Sequence, residues 1–218
     1  MKKRPVVIKV GGSLLTLKAL IRELDEFLDH VGTHQVVLLT GGGLAVKSLR
    51  NMKGKARLPE EQAHWQCIRL MSDLTRSLCE QLPNSVAVST WDEVEAAWKS
   101  DRYPCFMVES FLRTDEENKN HLPHTWDVSS DSIAAHLAAK YKANLILLKA
   151  CELPARQVKA ETLVKKGIVD AWFPQAVKKV KRWEVRNLPG GTAPEIALDL
   201  SSIAGRGRSR RKPRRVPR

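Results

Sequence analysis

The chain has 218 residues and a mass of 24.5 kDa, enough for one full-sized domain, which is the default expectation at this length. Its formal net charge is +13, but eight of the 37 basic residues and no acidic ones lie between Gly205 and Arg218, leaving 29 against 24 and a body of only +5. There is no run of eighteen apolar residues, and Met1-Lys2-Lys3-Arg4-Pro5 leads directly into strand-forming residues, which argues against a membrane span or a signal peptide and for a cytoplasmic protein.

Val6, Val7, Ile8 and Val10 are β-branched and predict a buried strand, with Lys9 near its end and Gly11-Gly12-Ser13 just beyond. A lysine in such a run needs something negative to face, and a strand that stops at Gly-Gly offers unobstructed backbone N–H groups to an anion. Leu17, Leu20, Ile21, Leu24, Phe27 and Leu28 then recur at helical spacing. "HQVVLLTGGG" repeats the opening pattern: an apolar strand, Val36 to Leu39, ends at Gly41-Gly42-Gly43, and "LAVKSLRNM" continues as helix.

A long helix is expected from about Pro59 to Leu82, with an apolar face that could pair with a second copy of the chain. "SVAVST" reads as a strand, "WDEVEAAW" as a helix and "YPCFMVES" as a strand, with an exposed polar loop from Phe111 to Pro123. "DVSSDSIAAHLAAKY" has a serine-rich cap and becomes helix, "ANLILLKA" is an apolar strand ending at Lys149, and "PARQVKAETLVKKGIVDAWFP" is loop with a short helix. "VKRWEVRNL" is a last strand, "TAPEIALDL" a short helix, and the tail 205–218 lacks the apolar residues needed to offset its ordering entropy. The tail reads either as a weak hold on nucleic acid and other polyanions or as a solubilising extension.

Strands alternating with helices predict an α/β fold with a mainly parallel sheet covered on both faces, and ligands in such sheets bind beyond the carboxyl ends of the strands. Lys9, Gly11, Gly12, Gly41 to Gly43 and Lys149 all fall at such ends. Positive charge and preorganised N–H donors are what phosphoryl transfer requires. Neither glycine turn fits G-x-x-x-x-G-K-[ST] or G-x-G-x-x-G. Cys67, Cys79, Cys105 and Cys151 form no Cys-x-x-Cys pair and are read as buried free thiols. His121 and His124, with Asp127 nearby, lack a third strong ligand in the sequence and are read as solvated, so no protein metal site is assigned. The six tryptophans are read as packing residues, with Trp126 and Trp172 beside motif residues where they could wall a pocket.

Taken in order, "VVIKVGGSLL", "VVLLTGGG", "DVSSDSIAAHLAAKYKANLILLKA" and "KKGIVDAWFP" resemble the amino acid kinase family over about Val6 to Pro174. Within it, "HTWDVSSDSIAAHLA" and "KKGIVDAWFP" are similar to small archaeal-type members such as the aminomethyl-furanmethanol-phosphate kinases, linked to one-carbon cofactors. The resemblance implies a three-layer αβα sandwich over residues 1–204, and transfer of the γ-phosphoryl group from ATP to a phosphate or carboxylate acceptor. Mg2+ would be held mainly through the nucleotide phosphates, and a homodimer is expected.

The resemblance also implies roles. Lys9 contacts the transferring group, Asp131 positions the lysines, and Lys149 lies on the nucleotide side. Gly11, Gly12, Ser13, Gly42 and Gly43 cradle phosphate, while Gly41, Asp127 and Ser129 face the acceptor. Asp127 stands where acetylglutamate kinases carry asparagine and would favour an acceptor bearing a cationic group. "ACELPARQ" replaces the Val-Asp-Gly turn that many members direct at the nucleotide. The alternative reading is a protein of the same fold that binds nucleotide or oxyanions without transfer.

Overall fold

The computed structural model describes residues 4–31, 35–52, 58–154 and 158–188. The short helix expected in "TAPEIALDL" and the basic tail lie outside the described residues. Six parallel strands form one sheet in the order β3-β4-β2-β1-β5-β6. They are β1 (Val6–Val10), β2 (Val36–Thr40), β3 (Ser85–Val88), β4 (Tyr103–Phe106), β5 (Asn144–Lys149) and β6 (Trp183–Asn187). The helices are α1 (Leu20–His30), α2 (Gly43–Arg50), α3 (Glu60–Gln81), α4 (Trp91–Lys99), α5 (Val108–Asp115), α6 (Ser130–Lys140), α7 (Ala160–Lys165) and α8 (Phe173–Ala176). Every residue of β1 and β2 is buried, as expected of strands covered on both faces.

Strand parity divides the core in two. Val6, Ile8 and Val10 pack with Leu20, Leu24 and Leu28 of α1 on one face, whereas Val7, Leu145 and Leu147 pack with Ile133, Ala134 and Leu137 of α6 on the other. Side chains alternate along a strand, so Lys9 shares the α6 face with Val7, and Lys149 shares it with Leu145 and Leu147. The chain builds one flank of the sheet from β1 through β2 to β3 and β4, then returns to place β5 against β1. The order therefore reverses around β1, which is where open parallel sheets form a crevice at their carboxyl ends.

Four local expectations are corrected. The strand expected over "YPCFMVES" ends at Phe106, and the segment Phe111 to Pro123 is not all loop, because α5 runs from Val108 to Asp115. Val108, Phe111 and Leu112 recur at helical spacing and are buried, while the polar residues between them, which made the segment look like loop, form its outer face. Asp115 is buried because it takes His136 and Lys140 of α6 as partners. The apolar face of α3, expected to be free for a second copy, is turned inward: Ala63, Ile68, Met71 and Leu78 are buried, and the helix packs on β2, β3, β4 and α5. The four cysteines are free, as expected, but only Cys105 is fully buried, and Cys151 is exposed.

Candidate active site

Beyond the carboxyl ends of β1, β2 and β5 lies a cavity of about 710 Å³. Lys9, Gly11, Gly12, Ser13, Gly42, Gly43, Ser129, Asp131 and Lys149 all contribute to its wall.

β1 ends in a 3-10 turn, Gly12–Thr16, and β2 ends in the N-terminus of α2. These two turns touch. A Cβ on Gly12 would collide with the backbone N and Cα of Gly43, and Gly43 itself has φ +53°, so side chains are excluded at both positions. Gly41 lies beneath them, and a Cβ there would press on Lys9 Cε at 3.2 Å and Ser130 Oγ at 2.9 Å. The result is a bare backbone floor beside two helix beginnings, suited to anionic oxygens.

Parity and register decide the lysines. Lys9 lies opposite Leu147 in the β1–β5 pairing, so Lys149 is one strand across and two residues further on, about 8 Å away at the Cα atoms. Both side chains converge on Asp131 in the first turn of α6: Lys9 Nζ is 2.9 Å from Oδ1 and Lys149 Nζ is 2.7 Å from Oδ2. Lys9 and Asp131 are buried and Lys149 is nearly so. Burial drives the Lys9 ammonium below its ordinary value, with Lys149 adding to the shift and Asp131 opposing it. Burial would raise the Asp131 carboxyl, but the charges of Lys9 and Lys149 together outweigh it and hold the group below the ordinary aspartate value.

Asp131 is positioned by a residue that the sequence reading did not assign. Asp170 Oδ2 accepts from the Ser129 backbone N–H at 3.1 Å, Ser129 Oγ at 2.8 Å and the Ser132 backbone N–H at 3.0 Å, and Oδ1 accepts from Ser132 Oγ at 2.5 Å. The serine-rich cap exists as expected, with Ser129 at the N-cap, but the acceptor for the free N–H groups is this distant carboxylate. A signal was present: Asp170 is the single acid in "GIVDAWFP" and follows the buried pair Ile168-Val169.

The other wall comes from α2, α3 and the segment before α6, through Lys47, Arg50, His64 and Trp126. Arg50 lies over the Trp126 ring at 4.9 Å from its centroid and donates to the Trp126 carbonyl oxygen at 3.0 Å. Burial, with His124 adding to it, lowers His64 to about 4, so its imidazole is neutral at neutral pH. Trp126 thus walls the cavity, whereas the exposed Trp172 is not among the lining residues. Asp127 is exposed and also absent from the lining; its carbonyl oxygen accepts from the Trp172 N–H at 3.1 Å.

The chemistry of the site fits a nucleotide triphosphate. Its floor is backbone that a Cβ would fill, and its cations are held in place before any ligand arrives. The carboxylates of Asp131 and Asp170 are already engaged by lysines and serines. A magnesium ion would therefore rely on the phosphates for most of its oxygen ligands, in keeping with its habit of retaining few protein ligands.

Glycine turns at adjacent strand ends and lysines converging on one acid define an α/β protein built to hold phosphoryl groups. The amino acid kinase family model matches residues 4–152, more than half of the chain, and the chain belongs to the amino acid kinase family. Among solved structures it is similar to the uridylate kinase of Archaeoglobus fulgidus, with a TM-score of 0.56 at 20% identity, covering 83% of this chain and 89% of that one. At that identity the likeness speaks for the fold. No curated protein matches the chain. Among the described residues no helix is long and apolar enough to cross a membrane.

Proposed function

We propose that the protein transfers the γ-phosphoryl group of ATP to the phosphate or carboxylate group of a small molecule. The observation that carries this reading is the buried carboxylate of Asp131 holding Lys9 at 2.9 Å and Lys149 at 2.7 Å beside two touching glycine turns. ATP is the phosphoryl donor in this reading, and Mg2+ held through its phosphates would neutralise part of their charge. Lys9 stabilises charge that develops on the transferring group, Lys149 holds the nucleotide side, and the amides of Gly12, Gly42 and Gly43 orient the phosphates, while the Gly11 N–H, bonded to the Leu148 carbonyl oxygen at 2.8 Å, ties the turn to β5. Asp131 keeps the two ammonium groups together against their repulsion.

An acceptor oxygen that is already anionic needs no general base, so positioning and charge neutralisation supply the catalysis. Lys47 and Arg50 on the α2 side add the positive charge that an anionic acceptor requires. The similarity of "HTWDVSSDSIAAHLA" and "KKGIVDAWFP" to kinases linked to one-carbon cofactors makes phosphate esters of that chemistry the first acceptors to try. A homodimer would have to use a surface other than the inward face of α3.

The test is ADP release from ATP and magnesium across a panel of small phosphates and carboxylates, with nucleotide binding measured in parallel. Acceptor-dependent ADP formation that is lost in Lys9→Ala supports transfer. Tight nucleotide binding with no turnover across the panel favours the non-catalytic binding protein.

A further inference from the structure

The sequence places His121 and His124 in a polar stretch without a third ligand, but the fold supplies one. Glu116, the residue after α5, brings Oε1 to 2.9 Å from His124 Nε2 and 3.9 Å from His121 Nδ1. The ligating atoms of the three residues lie within 4.8 Å of one another. Tetrahedral coordination at bond lengths of about 2.0–2.2 Å sets ligand atoms roughly 3.4 Å apart, so small side-chain rotations suffice to close the three around one ion. We infer that Glu116, His121 and His124 bind a divalent transition-metal ion of the zinc type, beside the kinase cavity and separate from its nucleotide site.

The surroundings hold this arrangement in place. The His121 N–H bonds the Asn118 carbonyl oxygen at 3.2 Å, and Asn118 Nδ2 bonds the buried Asp115 Oδ1 at 2.8 Å, tying the turn to α5. His121 Nδ1 also lies 3.0 Å from the Leu122 carbonyl oxygen, a contact that the ring gives up when that nitrogen takes the ion. His124 is stacked on His64 at 4.3 Å between centroids and meets the edge of Trp65 at 5.3 Å, with Arg113 over that indole at 4.3 Å. Such outer contacts orient ligands before the metal arrives.

Two imidazoles and one carboxylate suit zinc, cobalt or nickel and disfavour magnesium and calcium, which seek oxygen. An ion pair between Glu116 and His124 accounts for two of the residues; His121 Nδ1, 3.9 Å from the same oxygen, is too far to bond it directly and near enough to share an ion with it. The position has a consequence for the enzyme, because His124 packs on His64 and His64 lines the cavity. A bound ion therefore fastens the segment 116–124 against the cavity wall at α3.

The experiment uses the untagged full chain, stripped with chelator and free of nucleotide, titrated with Co2+ and then with Zn2+. Saturable visible d–d absorption at one equivalent, displaced by zinc, is expected. Loss of even an outer-shell partner typically weakens a metal site ten- to a hundredfold, so Glu116→Gln, His121→Ala and His124→Ala should each weaken cobalt binding by roughly a hundredfold. Cys151→Ser should leave binding unchanged. Circular dichroism of the metal-free variants checks that each is folded, and zinc should raise the melting temperature of the wild type and of none of the three ligand variants. Three results overturn the inference: no saturable binding, stoichiometric binding that persists in all three ligand variants, or a near-ultraviolet sulfur-to-cobalt charge-transfer band. None of these readouts depends on ATP or on an acceptor.

Discussion

Replacing Asp131 by asparagine tests the organisation of the site most directly. Two ammonium groups held on the two oxygens of one carboxylate are about 5 Å apart, and at an effective dielectric near 20 they repel by roughly 3 kcal/mol. The Asp131 charge offsets that repulsion, and both Lys9 and Asp131 are buried, at 3% and 4% exposure. Removing one partner of a buried pair leaves an uncompensated charge and typically costs about 3–5 kcal/mol, a large part of the roughly 5–15 kcal/mol that stabilises a domain. Asp131→Asn should lose that much in guanidinium denaturation followed by circular dichroism. Adding Lys9→Met removes the orphaned cation and should restore most of the loss. In turnover, Asp131→Asn and Lys9→Ala should each lower kcat on the order of a hundredfold, and their combination should cost much less than the product of the two. An Asp131→Asn protein within about 1 kcal/mol of wild type, or strictly additive stabilities in the double variant, would refute the bridging role, because neither can occur where one acid offsets two buried cations.

The pH dependence follows from the same triad. Asp131 has a native value below its ordinary 3.8, so its contribution is present above about pH 4 and lost as pH falls through the native value; the stability gap between wild type and Asp131→Asn should narrow there in denaturation midpoints taken against pH. Lys9 has a native value below 10.5 and loses its proton before the unfolded chain does; stability from this group should rise toward pH 10.5 while kcat falls, which a pH–rate profile beside a pH–stability profile would show. Gly12→Ala forces apart the two glycine turns at a strain of about 1–3 kcal/mol, and calorimetry should find roughly tenfold or more weaker ATP binding in a folded protein. Asp170→Ala leaves the Ser129 and Ser132 donors without their acceptor; a loss of about 3 kcal/mol in denaturation, together with a fall in kcat as Asp131 shifts, is expected. Asp127→Asn should leave the KM values for acceptor and ATP within about twofold of wild type, since the exposed side chain is not among the cavity-lining residues, and a selective rise in acceptor KM would return it to the site.

The local features were legible in the sequence because they are set by neighbours a few residues away. β-branched runs ending in glycine announce β1 and β2, Lys9 and Lys149 fall at the ends of apolar runs, and the helical spacing of Leu20, Leu24 and Leu28 gives α1 its buried stripe. The polar outer face of α5 hid its helix, since Asp115, which settles the matter, finds His136 and Lys140 more than 20 residues along the chain. The site divides in the same way. Its glycines and lysines are read from strand ends, but only the packing of α6 beside β1 and β5 brings Asp131 between the two lysines. Asp170 reaches Ser129 across 41 residues, and Glu116 meets His121 and His124 only because α5 ends where the following turn doubles back. Sequence spacing determines which face a side chain takes within one element, while the charge it meets there depends on how separate elements pack, and that is fixed by the burial of the whole core.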